Sequence, residues 1–173
     1  MDLSKPFHDR LHHDPEKGEM RDGSIRYLMM RPDALMGLFD RLPLAARGKA
    51  LNALVASVAD HGGKSVNAYR ENGAGDVDGL LQTIVATSAA LGWGRWRFDR
   101  SQAGRVEVII ENSPFAEASA QTDLPACAPI MGILTALAPL LLAREDVQVT
   151  EESCCAVTSC PHCIFVIAPL LDE

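Results

Sequence analysis

WGRWRFDRSQAGRVEVIIEN, residues 93–112, is where the chain changes period. Upstream of it apolar residues recur every three to four positions, and inside it they alternate. A period of two marks strands, whose successive side chains point to opposite faces. Val106, Val108 and Ile110 fall on one face, while Glu107 and Glu111 fall on the other. A half-buried antiparallel strand requires that division. Residues 93–98 and 105–112 therefore read as two strands, and 101–104 as the turn that makes them a hairpin.

Working outward, Pro32-Asp33 opens a helix on which Leu35, Leu38, Phe39 and Leu42 share a face, and Pro43 closes it. A second helix is expected over residues 45–60, with Leu51, Leu54, Val55 and Val58 aligned and Gly62-Gly63 as its stop. Asp76 is a good N-cap for a third helix carrying Leu80, Leu81, Ile84 and Leu91, and Gly92 lies at its C′ position. Residues 24–30 read as a short strand. Beyond the hairpin come a loop to residue 123, an apolar helix from Pro125, and strands over 146–152 and 163–168. Helices and strands are segregated, so the fold class is α+β, with helices packed on a mostly antiparallel sheet.

Residues 1–23 are polar and read as a flexible or loosely docked arm, with His8, His12 and His13 exposed to solvent. Residues 24–173 then form a single domain. The arm has no apolar run resembling a signal peptide, so a cytoplasmic location is expected. A net charge of −7 and the lack of a basic run argue against nucleic acid as a partner. Residues 124–143 are uncharged, but Pro125, Pro129 and Pro139 interrupt them. A buried core helix is expected there, not a membrane span.

Five cysteines are present, and four of them crowd into residues 152–163, EsCCavtsCphC. In a reducing compartment such a cluster points to metal before disulfides. Cys154, Cys155, Cys160, His162 and Cys163 are all candidate donors, and Cys127 lies upstream at the start of the apolar helix. Spacing nominates Cys160-x-x-Cys163, or Cys155 with Cys163, and leaves the choice open.

Several pieces resemble the 4-vinyl reductase (hydrocarbon-binding) domain family, which includes the sensory domains of phenol- and xylene-responsive activators and bacteriochlorophyll-related proteins. They are Leu91-Gly92-Trp93-Gly94, Asn112-Ser113-Pro114-Phe115-Ala116, the Cys127 helix through Gly132 and Leu134, and Glu152-x-x-Cys155-x7-Cys163-x-Phe165. The resemblance spans about residues 80–169 and implies a fold like that of the TRAPP trafficking subunits. It also implies a structural zinc on Cys127, Glu152, Cys155 and Cys163, with Cys160, His162, Cys154 or a register-slipped Glu151 as substitutes. Three thiolates and a carboxylate leave no open position for catalysis.

The same resemblance implies an enclosed cavity for a small apolar or aromatic molecule, for which Trp93, Trp96, Phe98, Ile110, Phe115 and Met131 are the expected lining. No nucleophile elbow, phosphate loop or HExxH motif is present. The expected function is small-molecule binding or sensing, acting through a separate protein partner. Two alternatives stand beside it: an auxiliary protein or vinyl reductase of tetrapyrrole biosynthesis, and a dimeric interaction scaffold. The family also implies a homodimer.

Overall fold

The computed structural model describes residues 2–119, 124–158 and 160–170, apart from the side chains of residues 73 and 74. The alternation in 93–112 becomes a hairpin of β4 (Arg95–Asp99) and β5 (Val106–Glu111), with Trp96 opposite Ile110. β5 pairs with β7 (His162–Pro169), and β7 pairs with β6 (Val147–Ser153). The strand order is β4-β5-β7-β6, antiparallel throughout. Together with the helices this makes the molecule α+β. On the inner face Val108, Ile110, Phe165 and Ile167 are fully buried. Each such side chain stabilises the fold by about 1.5–3 kcal/mol.

The apolar segment forms α6 (Ala128–Leu142), which contacts β6 and β7 on one side and α3 (Leu44–Tyr69) on the other. Ile130, Leu134 and Leu137 are fully buried, as expected of a helix apolar all round. Among the described residues no helix is long and apolar enough to cross a membrane.

α3 corrects one expectation. It runs through Gly62-Gly63 to Tyr69 and continues into a π-helical turn at Arg70–Ala74. These glycines let two helices touch. A Cβ on Gly62 would lie 2.6 Å from Ile133 Cδ1 of α6. A Cβ on Gly132 of α6 would lie 2.6 Å from Val58 Cβ and 2.7 Å from the Val55 carbonyl. The helix-propensity cost of a glycine, about 1 kcal/mol, is offset by the close packing that it permits.

α2 (Pro32–Asp40) and α4 (Val77–Ala90) form as expected. Asp76 Oδ1 accepts from the Gly79 N–H at 2.9 Å, and Gly92 takes a positive φ of 75° beyond the helix end.

The N-terminal residues differ from a flexible arm. They form α1 (Phe7–Arg10) and a meander of β1 (His12–Asp14), β2 (Glu19–Asp22) and β3 (Ile25–Tyr27). Phe7 is buried, and Arg10 Nε donates to Asp22 Oδ2 at 3.0 Å. These two charged side chains are only 5% and 2% exposed. One aromatic anchor and one buried ion pair do the work that a run of apolar residues does elsewhere. The strand expected over 24–30 shortens to β3, leaving Leu28 and Met29 exposed.

Candidate metal centre and ligand cavity

Three segments deliver side chains to one point. Cys127 is the residue before α6, Glu151 lies in β6, Cys154 follows β6, and Cys163 is the second residue of β7. One donor atom from each of the four lies within 4.8 Å of the others. Cys127 Sγ and Cys163 Sγ are 3.6 Å apart. That is close to the edge of about 3.8 Å for a tetrahedron of thiolates around zinc with 2.3 Å bonds.

The set is offset by one residue from the expected Glu152 and Cys155. Along β6 the burial alternates, with Val147, Val149 and Glu151 turned inward and Glu152 exposed. The β6–β7 register then slips, because Glu151 faces Phe165 while Ser153 faces Ile164. Glu152 is the extra residue of this bulge. Its carboxylate pairs at the surface with Arg105 at 3.3 Å. The bulge also brings the buried Cys154 to the cluster and leaves Cys155 half-buried at the flank. Cys155 Sγ lies 3.5 Å from both Cys163 Sγ and Cys160 Sγ. Cys160 donates to the His162 carbonyl at 2.9 Å, and Cys160 and His162 both stay outside the four-donor group.

The electrostatics of the four donors fit a cation. Burial pushes Glu151 up to about 9, helped by the charge of Cys154. Hydrogen bonds to the Cys154 and Cys163 sulfurs, with burial, raise Cys127. Cys163 is also raised: its bond with Cys127 pulls it down, but its bond with Cys154 and burial outweigh that. Bonds from Cys127 and Cys163 lower Cys154 strongly. Without a cation, acidic groups packed this closely resist ionising together. A divalent ion would let all four donors ionise.

Glu151 Oε1 is buried without a hydrogen-bond partner. Such an atom is costly unless something occupies its lone pairs. Outer groups are already in place. The Ala126 N–H points to Cys154 Sγ at 3.4 Å, and the Cys155 N–H to Cys163 Sγ at 3.3 Å. Ser113 Oγ lies 3.2 Å from Cys127 Sγ. The start of α6 adds the positive end of its dipole beside an anionic donor set.

The residues expected to line one cavity separate. Trp93 and Phe115 meet edge to face at 5.2 Å and line a cavity of about 760 Å³. Its other walls come from the N-terminal segment and the approach to α2, including Phe7, Met20, Tyr27 and Leu35. Sequence reasoning missed this half because those residues lie in or beside the expected arm. Met131 lines a different groove of about 460 Å³, beside Glu151. Trp96 and Ile110 are buried in the core, and Phe98 packs against it. The large cavity is coupled to the cysteines through α5 (Pro114–Glu117). Phe115 forms its wall, and Ser113, which caps the helix, touches Cys127.

No protein-family model and no curated protein matches the chain in sequence. Among solved structures, it is similar to the phenol-responsive sensory domain of the transcription activator PoxR, with a TM-score of 0.75 at 19% identity. That match covers 96% of this chain and 88% of the other. A trafficking protein particle complex subunit 3 from Naegleria fowleri, covalently bound to palmitic acid, matches at a TM-score of 0.49 and 12% identity. It covers 82% of this chain and 98% of that one. The chain thus has an α+β fold shared, over nearly its whole length, with the PoxR sensory domain.

Proposed function

We propose that the chain is a small-molecule sensing module in which a structural zinc, held by Cys127, Glu151, Cys154 and Cys163, fastens the β6–β7 corner to α6. The observation that carries the reading is the cavity of about 760 Å³ with Phe115 of α5 in its wall, because Ser113, which caps α5, touches Cys127. Its volume and its aromatic and thioether walls suit a small apolar or aromatic compound. The likeness to a domain solved with phenol supports the same ligand class. Zinc closes its coordination shell with protein donors, so its role is to fix geometry. Kinship with the 4-vinyl reductase domains belongs to the same proposal, on the motifs quoted above.

Leu28, Met29 and Met30 line the cavity and are also exposed. A ligand behind them would act on the surface through which the module meets a second copy of itself or a separate protein. Titrating phenol into a Trp96→Phe variant, which leaves Trp93 as the sole indole, tests the site. Saturable quenching of Trp93 fluorescence is expected. A linear, unsaturable response to phenol and to alkylbenzenes alike would defeat the ligand assignment.

A further inference from the structure

Two thiols remain outside the four-donor group. Cys155 opens the single turn α7 (Cys155–Thr158), and Cys160 follows two residues beyond it. Their sulfurs are 3.5 Å apart, and both residues are half-buried, whereas Cys127, Cys154 and Cys163 are buried. A disulfide bond is about 2.05 Å long, so the two sulfurs would close by roughly 1.5 Å. Ser153 Oγ lies 3.2 Å from Cys160 Sγ, which also donates to the His162 carbonyl at 2.9 Å. Cys163 is as near to Cys155, but it is fully buried and belongs to the metal donors.

We propose that Cys155 and Cys160 form an oxidant-responsive dithiol that converts reversibly to a disulfide ahead of the metal thiolates. The oxidant is a hydroperoxide, ROOH. The Cys160 sulfur attacks the outer oxygen, the O–O bond breaks, and ROH leaves with a proton. The sulfur is thereby oxidised by two electrons to a sulfenic acid. Cys155 then attacks that sulfur, the S–S bond forms, the S–O bond breaks, and the hydroxyl leaves as water with the thiol proton. The sum is two thiols and ROOH giving a disulfide, ROH and water. A disulfide here draws Cys155 toward Cys160 and away from Cys163, so oxidation touches the flank of the metal site without consuming its donors. The proposal rests on the metal reading only in leaving these two thiols free.

The test treats the purified, metal-loaded chain with one equivalent of hydrogen peroxide. Metal content, thiol count and the mapped disulfide are followed together. The expected result is loss of two of the five thiols and of about 2 Da, with the link mapped to Cys155 and Cys160 by tandem mass spectrometry. Zinc stays bound, and a dithiol reductant restores the starting mass. Cys155→Ser should stop at a sulfenic acid on Cys160 that a dimedone-type reagent traps. Zinc release with Cys127, Cys154 or Cys163 in the first disulfide overturns the proposal. So does a second metal ion that protects Cys155 and Cys160 from peroxide. A chain purified without zinc contradicts the metal assignment, and the position of the disulfide mapped in it still decides the dithiol.

Discussion

The cysteine corner and the N-terminal corner each join separate pieces of chain, and they are held by opposite means. At the first, four acidic groups are forced together and resist ionising together without a cation. At the second, Arg10 and Asp22 bring their own opposite charges and pair at 3.0 Å, although Arg10 Nη2 stays buried without a hydrogen-bond partner. The first arrangement carries no counter-charge of its own and the second does. That difference makes the cysteine corner a candidate for a cation and the ion pair a fastening. Between the corners lies the large cavity, which borrows walls from the N-terminal segment and, through α5, from the neighbourhood of the cysteines.

Breaking the metal corner should give the largest effect. Cys127→Ala is expected to abolish stoichiometric zinc and to lower Tm by about 10 °C or more, because the clip across three segments is lost. Zinc analysis with calorimetry measures both. Retention of zinc in that variant would remove Cys127 from the donor set.

Acidity separates the corners next. In the metal-free fold Glu151 keeps its proton up to about 9, while Cys154 has lost its own. In the unfolded chain the carboxyl ionises at its ordinary value and the thiol keeps its proton. Taken alone, Glu151 makes stability fall as pH rises toward 9, and Cys154 makes it rise over the same interval. The two groups therefore oppose each other in their effect on metal-free stability. With zinc bound, all four donors are ionised and the unfolded chain binds about three more protons. Stability and zinc affinity then rise with pH, by up to about 4 kcal/mol per pH unit. Zinc titrations at several pH values check the sign, and a flat affinity would contradict it.

At the N-terminal corner, Asp22→Ala strands a buried guanidinium and should cost about 3–5 kcal/mol, with zinc content unchanged. Replacing both partners by apolar residues should cost much less, and denaturant unfolding of the pair of variants measures the difference. A smaller loss, about 1–3 kcal/mol, is expected for Gly132→Ala, whose new methyl meets Val58 and the Val55 carbonyl. An unchanged midpoint there would show that α3 and α6 yield without strain.

Much of this was readable from residue order, for physical reasons that differ by region. The hairpin was legible because period-two patterning is a local property of Val106, Val108 and Ile110. The cysteines point to a candidate metal site by type, but which of them converge depends on a bulge at Glu152 that no local pattern encodes. The alternation Val147, Val149, Glu151 was present and, followed one residue further, selects Glu151 over Glu152. Gly62-Gly63 looked like a helix stop, because the reason for those glycines lies on α6, some seventy residues away. The N-terminal meander was illegible because a single Phe7 and one ion pair anchor it, and neither makes a pattern.

The identity of the donors is most directly read by X-ray absorption at the zinc edge on the purified chain. Three sulfurs at about 2.3 Å and one oxygen at about 2.0–2.2 Å are expected, with the oxygen lost in Glu151→Gln and kept in Glu152→Gln. A shell of four sulfurs, which would bring Cys155 or Cys160 into the site, contradicts this donor set, as does an oxygen that disappears with Glu152.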